Sequence, residues 1–244
     1  MNAMTSMSAF GRSAPMLLTR DRPEARPHRT SEKALLLRAK RANGLAKRLF
    51  DALGASLALA LLAPLILAVA IAVAASGPGP IVYRHRRVGR YGQAFACLKF
   101  RTMTADAPAV FAAYLDAQPD AAQEWADRQK LRDDPRVTRI GAFLRRWSLD
   151  ELPQLVNVLA GDMSLIGPRP ITRSELDRYG ADRKYYLLVR PGMTGLWQVS
   201  GRSRLRFAQR VALDRRYLEG WTLRTDMAVL LRTGHALLRG DGAC

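Results

Sequence analysis

Apolar and polar positions along this chain fall into three regimes. Residues 1 to about 40 mix Pro, Ser and many Arg without any sustained apolar period, the pattern of a mobile basic tail. Ala52 to Ala75 then runs without a charge, and it is long enough to cross a bilayer as a helix, which takes about 20 residues. Ser76-Gly77-Pro78-Gly79-Pro80 breaks that run, and the remainder reads as a globular unit. The expected organisation is therefore a flexible tail over 1–40, a membrane helix over 41–76 and a folded domain over 77–244.

The apolar run admits three readings. A cleaved signal peptide fits poorly, because the run is too long and starts some fifty residues into the chain. A spanning helix and a re-entrant hairpin remain. Pro64 sits near the centre, where proline deletes a backbone hydrogen bond at a cost of roughly 3 kcal/mol. Basic residues flank both sides, Lys40, Arg41, Lys47 and Arg48 before and Arg84, Arg86, Arg87 and Arg90 after. The positive-inside tendency places both flanks in the cytoplasm, which leans toward the hairpin.

Within the globular part, Ile81 to Val88 and Ala94 to Arg101 read as two strands joined by Arg90-Tyr91-Gly92-Gln93. Asp106 to Leu131 carries a helical apolar pattern with Phe111, Tyr114, Leu115 and Trp125 as core residues. Residues 139 to 147 predict another helix with Phe143, Leu144 and Trp147 on its apolar side. Asp226 to Leu238 predicts an amphipathic helix, packed in the core or lying on a membrane surface. The fold class is mixed α/β, mainly helical: a membrane helix-break-helix, then a compact domain with a small β-hairpin and interfacial amphipathic helices.

Charge narrows the partners. Lys and Arg outnumber Asp and Glu by 39 to 21, a net +18, which calls for a polyanionic partner such as nucleic acid, anionic lipid or a phosphorylated substrate. Near an anionic leaflet each basic residue adds about 1 kcal/mol of attraction. The two cysteines lie far apart and the three histidines are scattered, so neither a disulfide framework nor a zinc cluster is expected. Any metal should be a hard ion held by carboxylates and phosphates, with Mg2+ first.

The segment from Ser148 to Asn157 carries the chemistry. Ser148 and Glu151 have the spacing of a capping box, which predicts a helix start there, with Leu149, Leu152, Val156 and Leu159 as its apolar stripe and Gly161 as its end. Asp150, Gln154 and Asn157 fall on another face. In a first turn, exposed N–H groups favour ionised carboxylates, so Asp150 can attack phosphorus and Glu151 can hold a metal. Acidic residues are also ordinary first-turn residues, and the basic company decides between the readings. Lys99 and Arg101 lie two apart on a predicted strand and so share a face. Arg169 is held between Pro168 and Pro170, whose stiff backbone aims its guanidinium. Pro191 to Arg202 has glycines for close backbone approach around a nucleotide, and it matches neither a Walker loop nor a GxGxxG turn.

Taken together, Lys47-Arg48-Leu49-Phe50-Asp51, Arg87-Val88-Gly89, Lys99-Phe100-Arg101-Thr102-Met103, the run SLDELPQLVNVLAGDMSLIGPRP and PGMTGLWQVSGR resemble the bacterial sugar transferase family, the monotopic polyprenyl-phosphate phosphoglycosyl transferases. The resemblance covers about Lys47 to Gly240. It implies a re-entrant helix broken at Pro64, an inner-membrane location with the catalytic domain on the cytoplasmic face, and a two-step covalent mechanism. In that mechanism Asp150 is the nucleophile toward a UDP-sugar, UMP leaves, and undecaprenyl phosphate takes the hexose 1-phosphate, of galactose or glucose type. Glu151 matches the Mg2+ ligand and Arg145 a phosphate-binding position. Lys99, Arg101 and Arg169 are assigned to phosphate by charge and motif position, and Pro168, Pro170, Gly195, Gln198 and Arg202 to the nucleotide-sugar region. Anionic lipids are expected partners, nucleic acid is not, and a homodimer is left open. His85 and Trp197 differ from many members, in the direction of short exopolysaccharide-initiating ones; Ala63 precedes Pro64 where several relatives have Ser. Two rivals stand: a non-enzymatic basic membrane module, and a glycosyltransferase that releases UDP.

Overall fold

The computed structural model describes residues 31–128, 131–201 and 204–239, so the expectations for residues 1–30 and for Arg202 lie outside the described residues. The apolar run becomes helix α2 (Leu45–Ala75), which stays helical through Pro64. The expected break is thus a proline inside a continuous helix. Pro64 leaves the Ala60 carbonyl without its intrahelical donor, but one missing bond does not outweigh the cooperative ladder on either side.

One stripe of α2 faces the rest of the chain. Ala55, Ala58 and Leu59 pack with Cys97, Leu155, Val158 and Met163. Further along, Ile66, Val69, Ala70 and Val73 pack with Phe100, Leu144, Leu149 and Leu152. Both halves of the helix therefore rest on one body. The opposite stripe, Leu53, Leu57, Leu61, Leu65, Leu67 and Ile71, is exposed. A continuous uncharged face of this kind needs an apolar partner.

Helix α1 (Glu32–Ala42) corrects the tail boundary. Ser31 caps it, and Leu35, Ala39 and Ala42 are buried against Tyr185, Val189 and Leu218. Its apolar positions recur at i, i+4 and i+7, a helical period submerged among Lys and Arg. The two predicted strands form the antiparallel hairpin β1 (Val82–Val88) and β2 (Ala94–Phe100), with Arg87 opposite Phe95 and Tyr83 opposite Lys99. Its turn uses left-handed Tyr91 (φ 59°).

The stretch from Asp106 divides at Gln118 into α3 (Ala107–Ala117) and α4 (Pro119–Arg128). None of the α3 residues is buried, contrary to the core role expected. Phe111 instead meets Trp125 edge-on at 4.7 Å, and the Arg136 guanidinium lies over Phe111 at 4.1 Å. The remaining elements are α5 (Arg139–Arg146), α6 (Gln154–Ala160), β3 (Ser164–Ile166), α7 (Arg173–Asp177), α8 (Arg183–Leu187), β4 (Gly192–Thr194), α9 (Phe207–Glu219) and α10 (Leu223–Arg239). Strands β3 and β4 pair in parallel.

A buried ionic cluster pins the start of α2. Lys47 contacts Asp51 at 2.8 Å and Asp226 of α10 at 2.9 Å, with all three side chains almost fully enclosed. Asp51 also accepts from the Ser164 hydroxyl and the Leu165 N–H, while Asp226 accepts from Tyr217 and Trp221. Each buried charge has its partners, as low-dielectric burial demands. Asp226 and Val229 turn α10 inward, and Met227, Leu230 and Leu231 remain exposed.

Candidate functional site

The predicted capping box at Ser148 does not form. Ser148 adopts the left-handed conformation (φ 56°) and makes no side-chain cap. It follows the last turn of α5 and swings the chain into a short 3-10 turn, Leu149–Glu151, before α6 begins at Gln154. A Ser in that region stores strain that the surrounding packing must hold. The stripe also differs: Leu155 and Val158 are the buried apolar residues of α6, beside buried Gln154 and Asn157, whereas Val156 and Leu159 are exposed. Gly161 ends the helix in the left-handed conformation, as the sequence predicts.

Freed from a cap, the dyad is organised by a cation. The Lys99 ammonium donates to Glu151 Oε1 at 2.7 Å and to Asp150 Oδ2 at 3.4 Å, so one charge bridges both carboxylates. Arg169 approaches Glu151 at 3.5 Å. The two carboxyls then diverge. Burial pushes the Asp150 carboxyl above its ordinary range, against the pull of Lys99. Burial acts the same way on Glu151, but Arg169 and Lys99 outweigh it and hold that carboxyl low. The expected helix-dipole stabilisation of Asp150 is replaced by ion pairing in a desolvated pocket.

Arg145 joins from the last turn of α5. Its Nε donates to the Thr102 hydroxyl at 3.0 Å, and its charge favours ionised Asp150. Helix α5 can lie that close to the Thr102 backbone because residue 141 is glycine; a Cβ there would overlap the Thr102 carbonyl. Leu144 of α5 is buried, while Phe143 and Trp147, expected on the same apolar side, are exposed.

Arg101 does not reach the site. Strand β2 ends at Phe100, so the alternation that would have put Lys99 and Arg101 on one face stops short. The Arg101 guanidinium instead takes the carbonyls of Val73, Gly77 and Pro78, closing the C-terminal end of α2.

The glycines of the predicted nucleotide loop serve loop-to-loop packing. A Cβ on Gly192 or Gly195 would overlap the Gly167 backbone, so the loop bearing Pro168, Arg169 and Pro170 lies directly on the loop after Arg190. Pro168 is fully buried, and Pro170 lines the cleft with Arg169. Gln198 donates to the Met193 carbonyl at 3.0 Å. Gly192→Ala is expected to destabilise the protein by roughly 1–3 kcal/mol through overpacking. A melting temperature equal to the parent's in a thermal unfolding experiment would contradict it.

The cleft is lined by Arg87, Cys97, Lys99, Glu151, Gln154, Arg169, Pro170 and Met193. Arg87 and Gln154 were not singled out as site residues by sequence. Among the described residues no group of three or more His, Cys, Asp or Glu side chains converges as a metal cage. A divalent ion here would draw on Glu151 and on its ligand's own oxygens, the usual habit of Mg2+.

Comparison with known proteins agrees with the motifs. The family model described as bacterial sugar transferase matches residues 42–240. Exopolysaccharide production protein ExoY of Rhizobium meliloti is 47% identical over 200 residues, covering 82% of this chain and 88% of that protein. The undecaprenyl-phosphate galactose phosphotransferase of Salmonella typhimurium is 47% identical over 218 residues, 87% of this chain but 46% of that longer protein, so this chain spans about half its length. The UDP-glucose:undecaprenyl-phosphate glucose-1-phosphate transferase of Caulobacter vibrioides is 42% identical over 210 residues, 82% of this chain and 72% of that protein. With the family model matching residues 42–240 and these relatives 42–47% identical over 82–87% of its length, the chain belongs to the bacterial sugar transferase family.

Proposed function

We propose that this protein is a phosphoglycosyl transferase that moves a hexose 1-phosphate from a UDP-sugar to undecaprenyl phosphate, as the first membrane step of exopolysaccharide synthesis. The printed activities of the Salmonella and Caulobacter relatives support the reaction class. One observation of this chain carries the reading: Asp150 and Glu151 share a turn whose flanking Leu149 and Leu152 pack against the same apolar cluster that holds Val69 and Val73 of the apolar helix. With the apolar helix seated in a membrane, two carboxylates and their cations would stand near the edge of the apolar phase, which supports a lipid phosphate as acceptor.

In the proposed first step an Asp150 oxygen attacks the sugar-bearing phosphorus. The bond from that phosphorus to the bridging oxygen breaks, and UMP departs with the electron pair. In the second step an oxygen of undecaprenyl phosphate attacks the same phosphorus, the bond to Asp150 breaks, and the carboxylate is regenerated beside a lipid diphosphate sugar. An anion attacking a dianion must be relieved of repulsion, which Lys99, Arg145 and Arg169 supply from fixed positions. Mg2+ held by Glu151 would neutralise diphosphate charge and steady the leaving group. Enclosure of Asp150 strips water from the nucleophile, and the charge of Lys99 opposes the protonation that burial favours.

The exposed face of α2, with both halves of the helix on one body, supports a monotopic seat in the inner membrane with the site on the cytoplasmic side. The test is purified protein in lipid nanodiscs with undecaprenyl phosphate, Mg2+ and a panel of UDP-sugars. UMP release with a UDP-galactose or UDP-glucose donor is the expected result. UDP as the nucleotide product would replace this reading with ordinary glycosyl transfer, and no nucleotide release from any donor would reject it.

A further inference from the structure

The hairpin carries a cation that the dyad and its loops do not account for. Cross-strand pairing puts Tyr83, His85 and Arg87 of β1 on the same face as Lys99, Cys97 and Phe95 of β2. Lys99 reaches the dyad from that face, and Arg87 lines the same cleft with its side chain only 15% exposed. With Lys99, Arg145 and Arg169 it makes four cations against three carboxylates, Asp150, Glu151 and Glu175. That surplus suits an anionic ligand.

Arg87 is also aimed. Its Nη1 donates to Glu175 Oε2 at 3.1 Å, and its Nη2 donates to His85 Nδ1 at 3.3 Å. Glu175 is fixed in turn, because the same oxygen accepts from the Thr172 N–H and hydroxyl in the capping box of α7. The Val88 N–H donates to the Ile171 carbonyl at 2.9 Å, so the backbone next to Arg87 is stitched to the segment that follows Arg169. A guanidinium can only donate, so His85 accepts through Nδ1 and is neutral with its proton on Nε2. Burial, then the charges of Arg87 and Lys99, push that imidazole toward the neutral form. Among the described residues two partners, Glu175 and His85, orient Arg87 and leave part of its N–H fork for a ligand.

We infer that Arg87 grips a phosphate group of the donor's diphosphate opposite Arg169, and that Glu175 is the positioning residue that aims it. The inference rests on the phosphate-transfer reading above and adds a ligand contact to it. The test uses the full chain in nanodiscs, titrated calorimetrically with inorganic diphosphate and Mg2+, alongside UMP-release kinetics. Arg87→Ala should weaken diphosphate binding about tenfold or more, since charge-assisted contacts are the strong ones. Arg87→Lys should recover part of the loss, because it keeps the charge without the fork. Glu175→Gln should raise the donor KM while leaving kcat near the parent value, a split that a merely structural role would not give. Arg86→Ala, exposed on the other face of β1, should change neither.

Unchanged diphosphate affinity in folded Arg87→Ala overturns the inference. If that variant fails to fold, unchanged affinity in both Arg87→Lys and Glu175→Gln overturns it instead. Parent protein that binds diphosphate through Arg87 but releases no UMP would support this contact and sink the transfer reading. UMP release with a donor KM untouched by the Arg87 variants would do the reverse.

Discussion

Replacing Asp150 with Asn is expected to lower UMP release by at least about a thousandfold, the scale on which losing a nucleophile acts. The substitution keeps the shape of a residue that is only 8% exposed and removes a charge that burial already disfavours. Folding should therefore survive, and the melting temperature should stay within a few degrees of the parent's or rise. The amide cannot form the acyl phosphate, so protein labelled by a donor carrying 32P in its sugar phosphate should appear with the parent and vanish with the variant when the acceptor is withheld. A variant that keeps a tenth of the parent rate, or that still labels, would show that the phosphorus is attacked by another group. Glu151 would then be the first to suspect.

The sequence made the parts of this site legible in different degrees. The dyad, Lys99 and Arg169 stood out because each is a charged residue in a locally stiff setting, a turn, a strand or a proline pair, whereas Arg145 was marked by the family resemblance alone. The hairpin followed from alternation bounded by a Gly-containing turn. What failed was every inference that needed a backbone conformation beyond the local pattern. Ser148 has the spacing of a capping residue, but capping requires an extended backbone and this serine is left-handed. Arg101 has the strand phase of Lys99, but the strand ends between them and the helix end behind it offers bare carbonyls. Arg87 was hidden in the opposite way. It lies in a run of arginines read as a basic flank, and only cross-strand register separates it from Arg84 and Arg86. The helix of residues 32–42 was lost for a similar reason, its apolar period diluted by basic residues that face solvent.

Lys99→Met is expected to reduce kcat about a hundredfold and to move the acidic limb of the pH–rate profile upward. Among the described residues the ammonium is the one group that touches both carboxylates, at 3.4 and 2.7 Å. Burial already holds the Asp150 carboxyl above its ordinary range, and Lys99 is the largest influence opposing it. Without that charge the ionised form becomes still less favourable, and the two neighbouring carboxylates repel with nothing between them. Only ionised Asp150 attacks, so at any given pH a smaller share of the enzyme is competent. Activity should therefore fall away at a higher pH than in the parent as acid is added. Raising the pH should restore part of the lost rate in Lys99→Met, whereas no pH restores Asp150→Asn. Profiles recorded at one saturating Mg2+ concentration separate the two. An acidic limb that stays in place while the rate drops would mean that Lys99 works on the ligand phosphates alone and leaves the nucleophile's charge to its other neighbours.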